Sequence, residues 1–399
     1  MNRTTNVSTL LVLLALTGCG DDNALEHSSS GDTASSGDTA SSDDIASSGG
    51  ETTDGGAGAT TSDSSSGNDS ADGLPSTSGD ETSGSGESST TSDDTDEPAI
   101  VPLPGDAVFP EGITVAADGT LYVSSVGTAS VLSIAPPYTE DDVSTFAEGE
   151  LSRTAIGLFI DEPRGLLMVC DSNPNEPTSS SLTALDLTSG ERVAEHPIPP
   201  AVEGGLVFCN DGLVAADGSA YVTDSFGGRL LRIADVGADG TAAEPFIDDP
   251  LLAAPEGAFG ANGLTELGGE LYAVNFANGS LLHVTRDGSG AATGVAPVPL
   301  FTEGGESVTM VGPDGIEPSE DGTLLIVENG TFGGGGNRLL RVVLGEGEGV
   351  VEELASDLDI PTTAAETDTH VWVVQSQFDH LFGIDMAEPE PFELIGIPR

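Results

Sequence analysis

The sequence contains no lysine. All ten of its basic residues are arginine, against 67 aspartates and glutamates, for a formal net charge of −57. Such a chain cannot neutralise phosphates, which excludes nucleic acid as a partner, and it disfavours electrostatic docking on anionic lipid. Three cysteines in 399 residues are too few for a disulfide-built scaffold. Aromatic residues make up only 5% of the chain, and the apolar run Thr9–Leu16 is too short to span a bilayer. What is plentiful is glycine, 54 residues, and proline, 24. With so few aromatics, they argue against a helical bundle and for many short strands joined by frequent turns.

Composition divides the chain in three. Residues 1–19 read as a signal peptide, with Arg3 ahead of the apolar run and Leu16-Thr17-Gly18-Cys19 resembling a bacterial lipobox. The expectation is lipidation at Cys19 and export to the cell envelope. Residues 20–97 are mostly Ser, Thr, Gly, Asp and Ala, with the hexamer Ser29–Ala34 repeated at Ser35–Ala40. This stretch holds 19 acidic residues and no basic one. It has too little apolar surface to offset its ordering entropy, and self-repulsion extends it, so a disordered tether is expected. The only membrane contact expected is through the lipid anchor. Residues 98–399 then form the head, with 48 acids against nine arginines, and are expected to be monomeric.

The head is periodic. Strand-like segments recur at Leu121–Ser125, Leu167–Asp171, Ala220–Asp224, Leu271–Asn275, Leu324–Glu328 and Val371–Gln375. Their last residues are spaced 46, 53, 51, 53 and 47 apart. Turn dipeptides precede four of them: Asp118-Gly119, Asp217-Gly218, Gly268-Gly269 and Asp321-Gly322. Third strands are predicted at Ser130–Ile134, Arg229–Ile233, Ser280–Val284, Arg338–Val343 and His380–Ile384, and fourth strands at segments such as Ser144–Ala147 and Val351–Leu354. Six repeats of four antiparallel strands define an all-β fold, a six-bladed β-propeller. Either Ile100–Leu103 or Phe392–Ile395 could supply the outermost strand of the last blade.

Chemistry gathers where the inner strands begin. Pro110-Glu111-Gly112-Ile113, Cys209-Asn210-Asp211-Gly212-Leu213, Ala261-Asn262-Gly263-Leu264 and Pro313-Asp314-Gly315-Ile316 occupy equivalent places in four blades. The other two blades carry Ile156-Gly157-Leu158 and Pro361-Thr362-Thr363 there. Glu111, Asn210, Asn262 and Asp314 would therefore aim four oxygen-bearing side chains at the axis. Such a set suits Ca2+, which takes six to eight oxygens, better than Zn2+, which prefers His and Cys. Asn and Asp before Gly are also ordinary turn formers, but four of them in register make a stronger case for a metal.

In this order and spacing, the four motifs resemble the gluconolactonase/regucalcin (senescence marker protein) family and the diisopropyl fluorophosphatase that shares its propeller. The resemblance covers the head and implies a divalent ion, Ca2+ or another, on Glu111, Asn210, Asn262 and Asp314. Asp314 would also be the catalytic base or nucleophile, in hydrolysis of a lactone or ester. Two departures stand out. Phe208 occupies the place of the substrate-binding arginine of the lactonases, and Gln375-Ser376-Gln377 stands where the phosphotriesterases carry a pocket histidine. Phe208 points to a more apolar small-molecule substrate.

A second ring is expected from the strand ends. Ser125, Asp171, Asp224, Asn275, Glu328 and Gln375 would line the pocket rim together with Phe208, either as substrate contacts or as a solvated polar edge. Glu317, three residues after Asp314, could serve a second ion. Cys170 and Cys209 fall near the same face; a bridge is open to them, but two buried thiols are the favoured reading. His283 and His380 are placed in third strands, His196 in a connection, and Trp372 in the core. Gly333–Gly336 reads as a loop at the mouth. The reading that follows is a Ca2+-dependent hydrolase on the envelope. Its alternative is a non-catalytic, tethered propeller that binds a peptide, glycan or protein.

Overall fold

The period of about fifty residues folds as six sheets, each built on four antiparallel strands, and burial falls off along each repeat. Second strands such as Leu121–Ser125 and Leu324–Glu328 are buried end to end. The inner strand Pro110–Val115 is buried over its first four residues. The outermost strand Val143–Glu148 is mostly open to solvent. Apolar residues thus sit on both faces of the middle strands, and a blade can hide them only against its two neighbours. The structure, a computed structural model, describes residues 98–399 apart from Gly334. The expected signal peptide, Cys19 and the expected tether lie outside the described residues.

Blades 1 to 4 are simple four-stranded meanders with inner strands Pro110–Val115, Ala155–Asp161, Cys209–Val214 and Ala261–Leu267. Blade 5 begins at Pro313–Pro318 and gains two short strands at its outer edge, Leu300–Thr302 and Ser307–Val308. Aspartate fixes the hairpin turns: the Thr120, Ser219 and Thr323 N–H groups donate to Asp118, Asp217 and Asp321 at 2.9, 2.9 and 3.0 Å. Six apolar clusters hold the ring together, one at each blade interface. The cluster of blades 6 and 1, with Trp372, Phe392, Val101 and Ile113, closes it.

Blade 6 is built from both ends of the described chain. Its first two strands are Pro361–Glu366 and His370–Gln375, its third is Glu393–Pro398, and Ala99–Pro102 adds antiparallel outside it, pairing Val101 with Leu394. The two candidate closing segments therefore lie side by side. The third strand expected at His380–Ile384 is corrected. Gln377 takes a left-handed conformation (φ 50°), the chain leaves the sheet, and Phe378–Leu381 forms one helical turn within an insertion that ends at Phe392. His196 is corrected too, from a connection to a buried place in the strand Arg192–Ile198, with its ring nitrogens on the Val236 and Thr241 carbonyls.

The free thiols are the third correction. Cys170 and Cys209 form a disulfide between blades 2 and 3, their Cα atoms 5.2 Å apart. The second strand of one blade and the inner strand of the next bring these positions within bridging distance, a separation that a sequence does not display.

Candidate functional site

All six inner strands begin with the same irregularity. Pro110 pairs with Ser125, but Ile113 pairs with Val123, so one residue is in excess. The same slip recurs after Ala155, Cys209, Ala261, Pro313 and Pro361. Such a bulge lifts two residues out of the ladder and re-aims their side chains. The first of the pair is Glu111, Ile156, Asn210, Asn262 or Asp314 in five blades, and all five line one cavity on the axis. In the sixth blade Thr362 instead donates its hydroxyl to the Glu111 carbonyl at 2.6 Å, tying blade 6 to blade 1. The second of the pair packs against the next blade. A Cβ added to Gly157 would lie 2.3 Å from the Asn210 carbonyl oxygen, and one added to Gly263 would lie 2.6 Å from that of Asp314. In blade 3 this place holds Asp211, whose buried carboxylate faces the N–H groups of Gly212 and of Leu264 in the next blade.

The structure thus brings Glu111, Asn210, Asn262 and Asp314 to one site, each no more than 5% exposed. Asp314 is held firmly. Asn329 donates its amide to Asp314 Oδ2 at 2.7 Å, while its own Oδ1 accepts from the Thr331 hydroxyl at 2.5 Å and the Thr331 N–H at 2.9 Å. The Asn262 amide also lies close enough to Asp314 to favour its charged form. An amide that spends its N–H on a carboxylate keeps its carbonyl oxygen for another partner. Glu111 Oε2 is buried with no hydrogen-bond partner at all.

Burial raises the affinity of these carboxyls for protons, and mutual repulsion adds to it. Glu111 is pushed well above the usual carboxylate range by burial, then by Asp314 and Asp211. Burial pushes Asp314 up to about 7 against the opposing amides of Asn329 and Asn262, and Asp211 up to about 7 against its two backbone donors. Glu317 is raised by burial and by Asp211 but does not line the cavity. No protein cation offsets this charge. All nine described arginines are ion-paired elsewhere, Arg229 with Asp224 and Arg338 with Glu328 among them, and none lines the cavity. An orphaned buried carboxylate oxygen, hard oxygen donors from four blades and uncompensated negative charge together fit a Ca2+ ion.

The expected rim is corrected except at Phe208, which does line the cavity. Asp171, Asp224, Asn275, Glu328 and Gln375 are buried off the cavity, and each clasps the loop that enters its own blade. Asp171 accepts the Ser152 and Arg153 N–H groups, both at 2.7 Å; Asp224 accepts that of Phe208 at 3.0 Å; Glu328 accepts that of Val311 at 2.9 Å. Asn275 donates to the Leu251 and Ala253 carbonyls, and Gln375 accepts the Asp359 N–H. Ser125 does the same through the Val108 carbonyl. Successive strand residues face opposite ways, so the wall is formed one residue later, by Val126, Phe276 and Asn329. The insertion of blade 6 adds Phe378, Leu381 and Phe382, and Thr331 and Phe332 come from the start of the glycine-rich loop.

No protein-family model matches the chain, and no curated protein matches it in sequence. Among solved structures it is similar to a gluconolactonase from Xanthomonas campestris, at 16% identity over 76% of this chain and 90% of that one, with a TM-score of 0.50. It is also similar to luciferin-regenerating enzyme, at 14% identity over 75% and 95% of the two chains, with a TM-score of 0.52. At these identities the likeness is one of fold: the six-bladed propeller expected from the sequence is shared with both.

Proposed function

We propose that this protein is a Ca2+-dependent hydrolase of lactones or esters, acting at the cavity lined by Glu111, Asn210, Asn262 and Asp314. The observation that carries the reading is the convergence of four oxygen-bearing side chains from four blades, with Glu111 Oε2 buried and unpartnered. Among the solved propellers of this fold is a gluconolactonase, and a lactone is a cyclic ester. A Ca2+ ion in this position would polarise a carbonyl oxygen. Asp314, oriented by Asn329, would take the proton of an attacking water or attack the acyl carbon itself. Burial keeps bulk water from competing for the same donors.

The protein would be exported and held at the envelope through lipidated Cys19, as a monomer on an acidic tether. The Cys170–Cys209 bridge supports export, because disulfides persist in oxidising compartments. Calorimetric titration of the purified protein with calcium chloride tests the central reading, with the double variant Glu111→Gln/Asp314→Asn as control. Binding that disappears in the double variant, together with calcium-dependent turnover of a lactone or aryl ester, is the expected result; wild-type protein that binds no calcium would sink it. A second reading, a non-catalytic binding propeller, is favoured by one observation: no His, Lys or Arg lines the cavity. Calcium binding without turnover of any lactone, ester or phosphotriester would select it.

A further inference from the structure

Above its acidic floor the cavity is walled by phenylalanine. The chain is poor in aromatics, yet six of its 13 phenylalanines converge here: Phe208, Phe259, Phe276, Phe332, Phe378 and Phe382. They form a continuous arc across blades 3 to 6. Ring centroids are 5.4 Å apart for Phe208 and Phe259, 6.3 Å for Phe259 and Phe276, and 6.0 Å for Phe276 and Phe332. Phe332 then stacks on Phe382 at 5.9 Å, and Phe382 meets Phe378 at 5.7 Å. Edge-to-face and offset contacts of this kind fix each ring through its neighbours. Val126 and Ile156 continue the apolar wall through blades 1 and 2.

The polar groups of the lining are confined to the floor and to the Thr331–Asn329 pair, whose bonds already run to each other and to Asp314. A polyhydroxylated sugar lactone would bring several hydroxyls against this wall and find no partners for them, so each would lose its water without compensation. An anionic substrate would meet the uncompensated charge of the floor and of an overwhelmingly acidic chain. A hydrocarbon or aryl group has neither penalty and gains with every methylene removed from water.

We infer that the substrate is an uncharged ester or lactone with a medium-length acyl chain or an aryl group, its carbonyl on the acid floor and its hydrocarbon along the phenylalanine arc. This rests on the hydrolase reading above. In the reaction a water oxygen bonds to the acyl carbon and the acyl C–O bond breaks. The departing oxygen takes up one of the water's protons, and the products are an acid and an alcohol, or a single hydroxy acid from a lactone.

The test uses the purified protein saturated with calcium chloride and a series of para-nitrophenyl esters from acetate through butanoate to octanoate. It also compares the sugar lactone δ-gluconolactone with the alkyl lactone δ-decalactone. The expected result is a kcat/KM that rises about tenfold or more along the ester series, with δ-decalactone strongly preferred. Phe276→Ala and Phe332→Ala should flatten that rise while calcium affinity stays within about twofold, since neither ring is expected to touch the ion. A flat series, or preference for δ-gluconolactone with calcium bound, overturns the substrate class and leaves the cation reading intact. If nothing is turned over, calorimetric binding of the two lactones decides. δ-Decalactone bound alone, and more weakly by Phe276→Ala, sustains the apolar site although the hydrolase reading has failed. Neither lactone bound overturns both.

Discussion

At the scale of the residue, the site depends on how Asp314 is held. The Thr331 hydroxyl fixes the Asn329 amide, and that amide presents its N–H to Asp314 at 2.7 Å. Groups that orient a metal-binding or catalytic carboxylate commonly matter by 10- to 100-fold. Asn329→Ala is therefore expected to lower calcium affinity or kcat by about 10- to 100-fold, and Thr331→Val by less in the same direction. Calorimetry and initial rates on the same samples would check this, and wild-type values for both variants would mean that the Asn329 bond does not set the position of Asp314. The four floor residues were legible in the sequence because each is the first residue of a bulge, at one register position repeated blade after blade. Asn329 was not, although it directly follows Glu328. The strand ends drew attention by being polar, but their polarity serves the incoming loops, and strand alternation puts the following residue on the wall. Asp211 was in plain view inside Asn210-Asp211-Gly212, yet its reach to Leu264 in the next blade depends on a contact between repeats.

At the scale of the element, the blades are pinned to one another close to the axis, so damage there should reach the site. A Cβ at Gly157 would press on the Asn210 carbonyl at 2.3 Å, and that contact is backbone, which cannot swing aside. Gly157→Ala is expected to destabilise the head by about 1–3 kcal/mol in urea melts and to weaken calcium binding by displacing Asn210. A melt and an affinity both equal to wild type would show that the inner strands can part without consequence. The disulfide acts from the other side of the same residue. It joins positions 39 apart in sequence, and loop-closure entropy for that length gives a stabilisation of about 4 kcal/mol. The double variant Cys170→Ser/Cys209→Ser should lose up to about that much in urea at fixed calcium; no loss would mean that packing alone sets the spacing of blades 2 and 3. Four blades followed from strand period and turn chemistry together, and blade 2 from the period alone. The last one departed because Phe378-Asp379-His380-Leu381 carries no turn signal that would mark it as an insertion, and because its strands come from opposite ends of the head.

At the scale of the whole molecule, charge decides the conditions under which the fold is most stable. The described arginines are all committed to ion pairs away from the axis, and the axis collects acids from several blades. Free in an unfolded chain, an aspartate titrates at about 4. In the fold, burial pushes Asp211 and Asp314 up to about 7, and raises Glu111 and Glu317 as well. A folded-state value above the unfolded one means that the folded state binds more protons in the interval between them. Stability from these groups is therefore complete below about pH 4 and is lost as pH rises towards about 7 and beyond. Carboxylates that are paired or hydrogen-bonded elsewhere, such as Asp142 and Asp186 with their lowered values, act in the opposite sense, but their window lies below pH 4. In the presence of a chelator, the melting temperature should therefore be higher at pH 5 than at pH 8. Calcium should reverse the order, because it binds the deprotonated carboxylates and adds stability in proportion to RT ln(1 + [Ca2+]/Kd). Thermal melts at the two pH values, with chelator and with excess calcium chloride, separate the terms. The pH effect under chelation should shrink in Glu111→Gln/Asp314→Asn, which removes two of the raised acids, and the calcium effect should vanish. Melts under chelation that rise from pH 5 to pH 8 would mean that the central acids carry their charge without a cation.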